Sequence, residues 1–322
     1  MLNMLKLLTA AALLTVGANA QAEDWPTKPI TIISTYAAGG PSDIGVRVFA
    51  DVLSKIVKQP VLIDNKPGGG GVVGMSALHR SKPDGYTWAQ VSGAFTVNPT
   101  IQKSLPYDTI KDFQGLTIFY STPHAIVAYP GFAPSTPEEL FAESKKRTLK
   151  FASAGVGSSS HMTGELIQSV AGVRWQHIPY NGDAEALADI LSGRVDFTVS
   201  SWTNVEPQVK AGKLKLIAFS NPTRLPDYPD VPTLWEVLPA MKALPVGSWS
   251  GLVAPAGVPP DVLAKVADAI KTASLSDEYK EKAAAIGKMA RYMTPDETSA
   301  YLKTEVETWA RIVKEQNIVI GQ

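Results

Sequence analysis

The feature that most constrains this chain is a repeated unit. A short β-rich apolar run enters a loop of small residues, and residues at helical spacing follow. Ile30-Thr31-Ile32-Ile33 leads into Tyr36-Ala37-Ala38-Gly39-Gly40-Pro41-Ser42-Asp43, after which Ile44, Val48, Val52, Leu53, Ile56 and Val57 recur with a helical period. Ser42 or Asp43 stands where an N-cap belongs. Val61-Leu62-Ile63 begins a second strand, Pro67 and Gly68 to Gly71 follow, and a helix runs through Met75, Leu78 and His79. Residues 86–91 read as a third strand. Strands alternating with helices in this way predict a mostly parallel sheet covered on both faces.

The pattern then restarts. Residues 125–128 and 149–153 read as strands, and the second enters Ala154-Gly155-Val156-Gly157-Ser158-Ser159-Ser160. Met162, Leu166, Ile167 and Val170 mark the helix after it. Asp183 is placed to cap a further helix bearing Leu187, Ile190 and Leu191, with Gly193 as its stop. Residues 195–199 and 214–219 are further strands, and residues 259–322 are mostly helical. Thr136-Pro137-Glu138-Glu139 and Thr294-Pro295-Asp296-Glu297 both have the form of a capping box. At 322 residues the chain exceeds what one compact core usually fills. The expected fold is α/β with two domains, each a mostly parallel sheet flanked by helices. Residues 23–123 and 247–322 form one domain and 124–246 the other, with two crossings between them. Residues 221–232 and 245–260 read as connections.

Residues 1–22 read as a signal peptide: Lys6 is the only charge, residues 7–16 are apolar, and Ala18-Asn19-Ala20 presents small residues at a cleavage site, with Ala20-Gln21-Ala22 as a second. The expected product is a soluble protein of the periplasm, since no later apolar stretch reaches the ~20 residues of a membrane span. Lys and Arg number 30 against 30 Asp and Glu, with no basic run, so no nucleic-acid partner is expected. The absence of cysteine excludes disulfides, Cys-type zinc sites and thiol nucleophiles.

Catalytic signatures fail at decisive positions. Met75 stands where a P-loop needs lysine, and Trp249 replaces the serine of a nucleophile elbow in Gly247-Ser248-Trp249-Ser250-Gly251. Gly69 to Gly74 satisfies G-x-G-x-x-G, but no acidic residue closes the next strand, and a turn is the simpler reading. His161 and Glu165 lie one helical turn apart without further ligands, so no metal or cofactor is expected. The four histidines, His79, His124, His161 and His177, are scattered and read as surface or capping residues.

Two loops, residues 37–43 and 153–161, share one design: strand, small residues, helix start. Residues 67–74 are a third candidate. Small residues let a ligand approach backbone N–H groups, and the helix end adds about half a positive charge. Such loops at the carboxyl edges of parallel strands suit an anion. Neither of the first two contains Lys or Arg. This favours a carboxylate over phosphate, held by backbone amides of both domains rather than by a basic side chain. Asp43 reads as a helix cap or a pocket residue. Trp202 reads equally as a core anchor or as a flat ligand wall.

Taken together, Trp25-Pro26-Thr27-Lys28-Pro29-Ile30, Ala37-Ala38-Gly39-Gly40-Pro41-Ser42-Asp43, Asp64-Asn65-Lys66-Pro67-Gly68-Gly69-Gly70-Gly71 and Lys82-Pro83-Asp84-Gly85-Tyr86-Thr87 form a recognisable series. It continues through Gly155 to His161, Pro179-Tyr180-Asn181-Gly182, Gly193-Arg194-Val195-Asp196, Pro229-Asp230-Val231-Pro232-Thr233 and Ala254-Pro255-Ala256-Gly257. In order and spacing, over essentially the whole mature chain, this series resembles the Bug-type extracytoplasmic receptors of tripartite tricarboxylate transporters. The resemblance implies a two-domain periplasmic-binding fold (type II-like) whose cleft closes on a small carboxylate. It also implies integral-membrane transporter subunits as partners and a monomeric receptor. Its ligand positions map onto Ala38, Gly39, Gly40 and Asp43 in one domain, and onto Ser153, Ser158, Ser159 and His161 in the other. Tyr36, Ser92, Ala94, Tyr180, Asn181 and Trp202 complete the candidate set. Asn181 departs from the more usual Lys or Arg, which argues against a charge contact there. Ser200-Ser201-Trp202-Thr203 departs from the usual small or acidic residues, which points to an aromatic or bulky acid; the expected ligand is a small carboxylate, aromatic or dicarboxylic. The competing reading is a secreted α/β enzyme, a hydrolase or transferase acting on a small carboxylate.

Overall fold

The computed structural model describes residues 25–180, 182–221, 223–243 and 247–315; the leader segment and Asn181 lie outside the described residues. In chain order the first elements are β1 (Ile30–Ser34), α1 (Pro41–Val57), β2 (Val61–Asn65), α2 (Val72–His79), β3 (Thr87–Val91), α3 (Gly93–Ile101), β4 (Phe113–Thr122) and β5 (His124–Ala128). Then come α4 (Pro137–Lys146), β6 (Leu149–Ser153), α5 (Ser159–Ala171), β7 (Trp175–Pro179), α6 (Asp183–Leu191), β8 (Phe197–Ser201), α7 (Trp202–Lys210) and β9 (Lys215–Phe219). The chain closes with α8 (Leu234–Val237), β10 (Ser248–Pro255), α9 (Pro260–Leu275), α10 (Asp277–Ala285), β11 (Met289–Ala290) and α11 (Pro295–Glu315).

The described strands form two mixed sheets, ordered β11-β4-β10-β3-β1-β2 and β7-β6-β8-β5-β9. β1 pairs in parallel with β2 and β3, and β10 enters antiparallel between β3 and β4. In the second sheet β6 pairs in parallel with β7 and β8, while β5 runs antiparallel to β8 and β9. Alternation along each strand fills both faces. Ile32, Trp88 and Leu252 join Phe49, Leu53, Phe119, Ile270 and Tyr279 on one side of the first sheet. Ile33, Ala89 and Val253 face Met75, Phe95, Trp249 and Leu302 on the other. Phe151 and Phe197 anchor one face of the second sheet, and Ala152, Val127 and Phe219 the other.

The structure changes several sequence expectations. In α1 the buried stripe is Val46, Phe49, Val52 and Leu53, and Ile44 is 43% exposed. Gly45 explains this phase: a Cβ there would fall 2.5 Å from Tyr120 Cε1, so the helix meets the sheet through a residue without a side chain. Gly40, not Ser42 or Asp43, is the N-cap of α1. Gly182 caps α6, and Asp183 instead accepts from Ser200 Oγ (3.1 Å) and Asn204 Nδ2 (3.0 Å). Residues 245–260 are no mere connection, because they hold β10, inserted in the middle of the first sheet. Its neighbour β4, ten residues long, also lies outside every strand that the sequence predicts. The Thr294 capping box is complete, with Glu297 N–H donating to Thr294 Oγ1 and Thr294 N–H to Glu297 Oε2.

Only Pro123 separates β4 of the first sheet from β5 of the second. The chain returns through Gly247 into β10. The last helix does more than cover the first sheet: on α11, Leu302 packs into the first core while Trp309 and Ile312 belong to the second.

Candidate functional site

A cavity of about 340 Å³ lies where the two sheets meet. The first sheet contributes Tyr36, Ser42, Ser92, Gly93, Ala94, Tyr120 and Lys288; the second contributes Gly157, Ser158, Ser159, Met162, Thr163, Ser201, Thr203 and Asn204. Gly247, Ser248 and Trp249 form the wall at the crossing, and Pro41, Val97, Glu305 and Trp309 complete the lining. Backbone order explains this: β3, β6 and β8 point their carboxyl ends at the cavity, and the loops beyond them form its walls.

Ser248 is the hub of the crossing. Its Oγ lies 3.0 Å from His124 Nε2, 3.0 Å from Ser201 Oγ and 3.3 Å from Ser159 Oγ. The other ring nitrogen of His124 bonds Thr163 Oγ1 at 2.9 Å. Burial holds the His124 imidazole down at about 4, so it is neutral at physiological pH.

Two loops are built largely by side chains outside the cavity lining, Ser158 excepted. Asp43, 1% exposed, accepts from Gly39 N–H (2.9 Å), Arg47 Nε (2.8 Å) and Asn65 Nδ2 (2.7 Å). Burial pushes its carboxyl up, but the bonds from Arg47, Asn65 and Gly39 outweigh that and hold it down at about 2. Asp43 thus fixes the turn that carries Tyr36, whose hydroxyl bonds Ser92. In the other loop Ser158 is the N-cap of α5, accepting from His161 N–H at 3.2 Å. Ser160 Oγ accepts from Ala154 N–H at 3.0 Å, and His161 Nδ1 from Gly157 N–H at 3.1 Å. The His161 ring stacks on His177 with centroids 3.9 Å apart, and Ser153 Oγ lies 2.6 Å from His177 Nε2. Burial and the neighbouring His161 hold His177 down at about 3.

Of the sequence candidates, Tyr36, Ser92, Ala94, Ser158 and Ser159 line the cavity. Ala38, Gly39, Gly40, Asp43, Ser153, His161, Tyr180 and Trp202 are not among its lining residues. Ala38 and Gly39 are solvent-exposed, and Tyr180 donates its hydroxyl to Asp189 at 2.8 Å. Trp202 is 7% exposed and packs edge-on against Phe219 and Tyr228 at 4.9 and 5.0 Å. Of its two readings, core anchor is the one the packing supports. The histidines also depart from expectation: His124 and His161 are buried, and His161 and His177 form a stacked pair. The glycine run at residues 68–71 lies outside the cavity lining, and Asn98 Nδ2 donates to Gly70 O at 3.0 Å. Among the described residues no group of acidic or histidine side chains could hold a metal ion.

Sequence reasoning missed Tyr120, Ser248, Glu305 and Lys288. Glu305 is fully buried and accepts four bonds: Tyr301 (2.8 Å) and Trp249 (3.0 Å) on Oε1, Thr96 (2.7 Å) and Trp309 (3.0 Å) on Oε2. Burial still pushes its carboxyl up, because those bonds offset only part of the desolvation. Lys288 follows α10 and precedes β11, which pairs antiparallel with β4 at Met289↔Ser121. That long-range pairing carries the lysine to the cleft, and no local motif announces it.

The family model for the tripartite tricarboxylate transporter family receptor matches residues 46–318. The chain belongs to that family. The receptor is 30% identical over 305 residues to BugT of Bordetella pertussis, covering 93% of each chain. A TctC solute-binding protein from Polaromonas is similar over 90% of the receptor and 99% of its own chain, at 26% identity and a TM-score of 0.82. MatC from Rhodopseudomonas palustris, with bound malate, is similar over 90% of the receptor and 100% of its own chain, at 27% identity and a TM-score of 0.68. These likenesses bear out the Bug-type resemblance and the periplasmic-binding fold. They make the receptor a solute-binding protein.

Proposed function

We propose that the receptor captures a small carboxylate in the cleft between its two sheets and delivers it, unchanged, to integral-membrane subunits of a tripartite transporter. The observation that carries this reading is the origin of the walls. One cavity draws its lining from both sheets and from the crossing between them, so a single ligand touches both halves. A ligand that does so binds the closed arrangement more tightly than the open one and shifts the population toward it. Hydroxyls at Tyr36, Ser92, Ser159 and Ser248 offer donors to an anion, and the 13-residue α5 points its N-terminus at the same space. The malate-bound relative supports a dicarboxylate of similar size. The domain division is 23–123 with 247–322 against 124–246, and the receptor acts as a periplasmic monomer after loss of its leader. Among the described residues no helix is long and apolar enough to cross a membrane.

The enzyme reading would need a nucleophile with a base at an accessible surface. Ser153 and His177 have the spacing, but Ser153 is 1% exposed and neither residue lines the cleft. Thermal-shift screening against mono-, di- and tricarboxylates tests the proposal, with recovery of the ligand by mass spectrometry. Stabilisation by a dicarboxylate recovered intact supports it. Conversion of the ligand, or no stabilisation by any acid, defeats it.

A further inference from the structure

Lys288 is half-buried and, among the described residues, the only basic side chain lining the cleft. Among the described residues it has no carboxylate within ion-pair distance; its Nζ sits 5.1 Å from the centre of the Tyr120 ring. Glu305, the one acidic residue in the lining among the described residues, makes no ion pair with it, and its carboxylate is bonded instead to Tyr301, Trp249, Thr96 and Trp309. A partly desolvated ammonium without a counter-charge is costly, and an anion entering the cleft removes that cost. Burial accordingly pulls the lysine below its ordinary pKa.

The residue before it adds a second observation. Gly287 has φ +68°, and a Cβ built on it would lie 2.6 Å from Thr203 Cγ2, on the other side of the cavity. The turn that carries Lys288 therefore already touches α7 of the opposite half.

Resting on the carboxylate reading above, we infer that Lys288 is the counter-charge for one ligand carboxylate and selects dicarboxylates over monocarboxylates, while Gly287 lets its turn seat against Thr203 when the cleft closes. This assignment revises the expectation that backbone amides alone hold the anion.

Calorimetry with malate, succinate, adipate and the monocarboxylate butyrate, at low and high salt, tests it. The proteins are the wild type and the Lys288→Met, Lys288→Arg, Gly287→Ala and Gly287→Ala/Thr203→Ser variants. Lys288→Met keeps most of the apolar stem and loses the charge. It should weaken the best dicarboxylate at least tenfold, lower the preference for dicarboxylate over butyrate, and flatten the salt dependence. Lys288→Arg should retain affinity within a few-fold and keep the salt slope. Gly287→Ala should weaken every ligand, and Thr203→Ser in that background should restore part of the loss by removing the clashing methyl. Wild-type affinity, selectivity and salt slope in Lys288→Met would overturn the counter-charge, and wild-type affinity in Gly287→Ala would overturn the seating. A wild type that binds none of the acids instead defeats the carboxylate reading itself, and this inference with it.

Discussion

At the scale of single residues, position in the chain and position in the molecule diverge most at Trp202. It follows a strand, where a ligand wall is often found, yet its ring turns inward against Phe219 and Tyr228. Trp202→Ala should therefore cost ~3–5 kcal/mol and lower the melting temperature sharply, with the order of ligand preference unchanged. A stable variant with altered preference would return Trp202 to the cleft. His124 makes a different prediction, in pH. Its folded pKa is about 4 against an ordinary 6.5, so between those values the unfolded chain takes up a proton that the folded one refuses. The stabilisation is complete above pH 6.5 and is lost as pH falls toward 4, amounting to roughly 3 kcal/mol for a fully buried ring. His177 acts in the same direction over a wider window, down to about 3. Urea titrations from pH 7.5 to 4 should show the midpoint falling on acidification, and His124→Gln should flatten that dependence. An unchanged slope in the variant would place the proton uptake elsewhere.

At the scale of elements, the last helix is held to its neighbours by a carboxyl group that water does not reach. Glu305 on α11 draws Thr96 of α3 and Trp249 of β10 onto one carboxylate, along with Trp309 and Tyr301 from its own helix. Glu305→Gln keeps the shape but turns one acceptor into a donor. An indole N–H cannot accept, so whichever way the amide faces, one tryptophan loses its bond. The variant should be less stable by about 1–3 kcal/mol by thermal or urea unfolding. A higher melting temperature would show that relief of the carboxyl's desolvation outweighs the lost bond. The elements around the cleft show where the sequence can be read and where it cannot. The strand at residues 149–153 was legible to the residue as β6, because a local apolar run met a local run of small residues. Ser158 and Ser159 fell at the cavity for the same reason. β10 was not legible: Ser248-Trp249-Ser250-Gly251 is too polar to look central, and Ser250 is buried beside Gln90, whose Nε2 donates to it at 3.0 Å. Glu305 and Lys288 reach the cleft through contacts with residues more than a hundred positions away: Thr96, which bonds Glu305, and the β4 strand, which pairs with the residue after Lys288. No window of sequence contains those partners.

At the scale of the whole molecule, the question is whether the two halves unfold separately. Two crossings alone would permit it, since each sheet has its own core on both faces. α11 argues against it, because Leu302 is buried in the first core and Trp309 and Ile312 in the second. Losing either core strips burial from the same helix, and Ser169 Oγ donates to Glu315 Oε2 at 3.2 Å near its end. Ile312→Ala removes a fully buried side chain from the second core while lying on an element that also packs in the first. It should cost ~2–5 kcal/mol and leave one transition, with far-ultraviolet circular dichroism and tryptophan fluorescence coincident in urea. A cleft ligand at ~100 times its dissociation constant should then add roughly 2.7 kcal/mol to that same transition in both proteins. Two transitions, with only one moved by Ile312→Ala, would mean that the helix docks on the second half without coupling it to the first. In that case closure on ligand would have to be carried by the crossings at Pro123 and Gly247 alone.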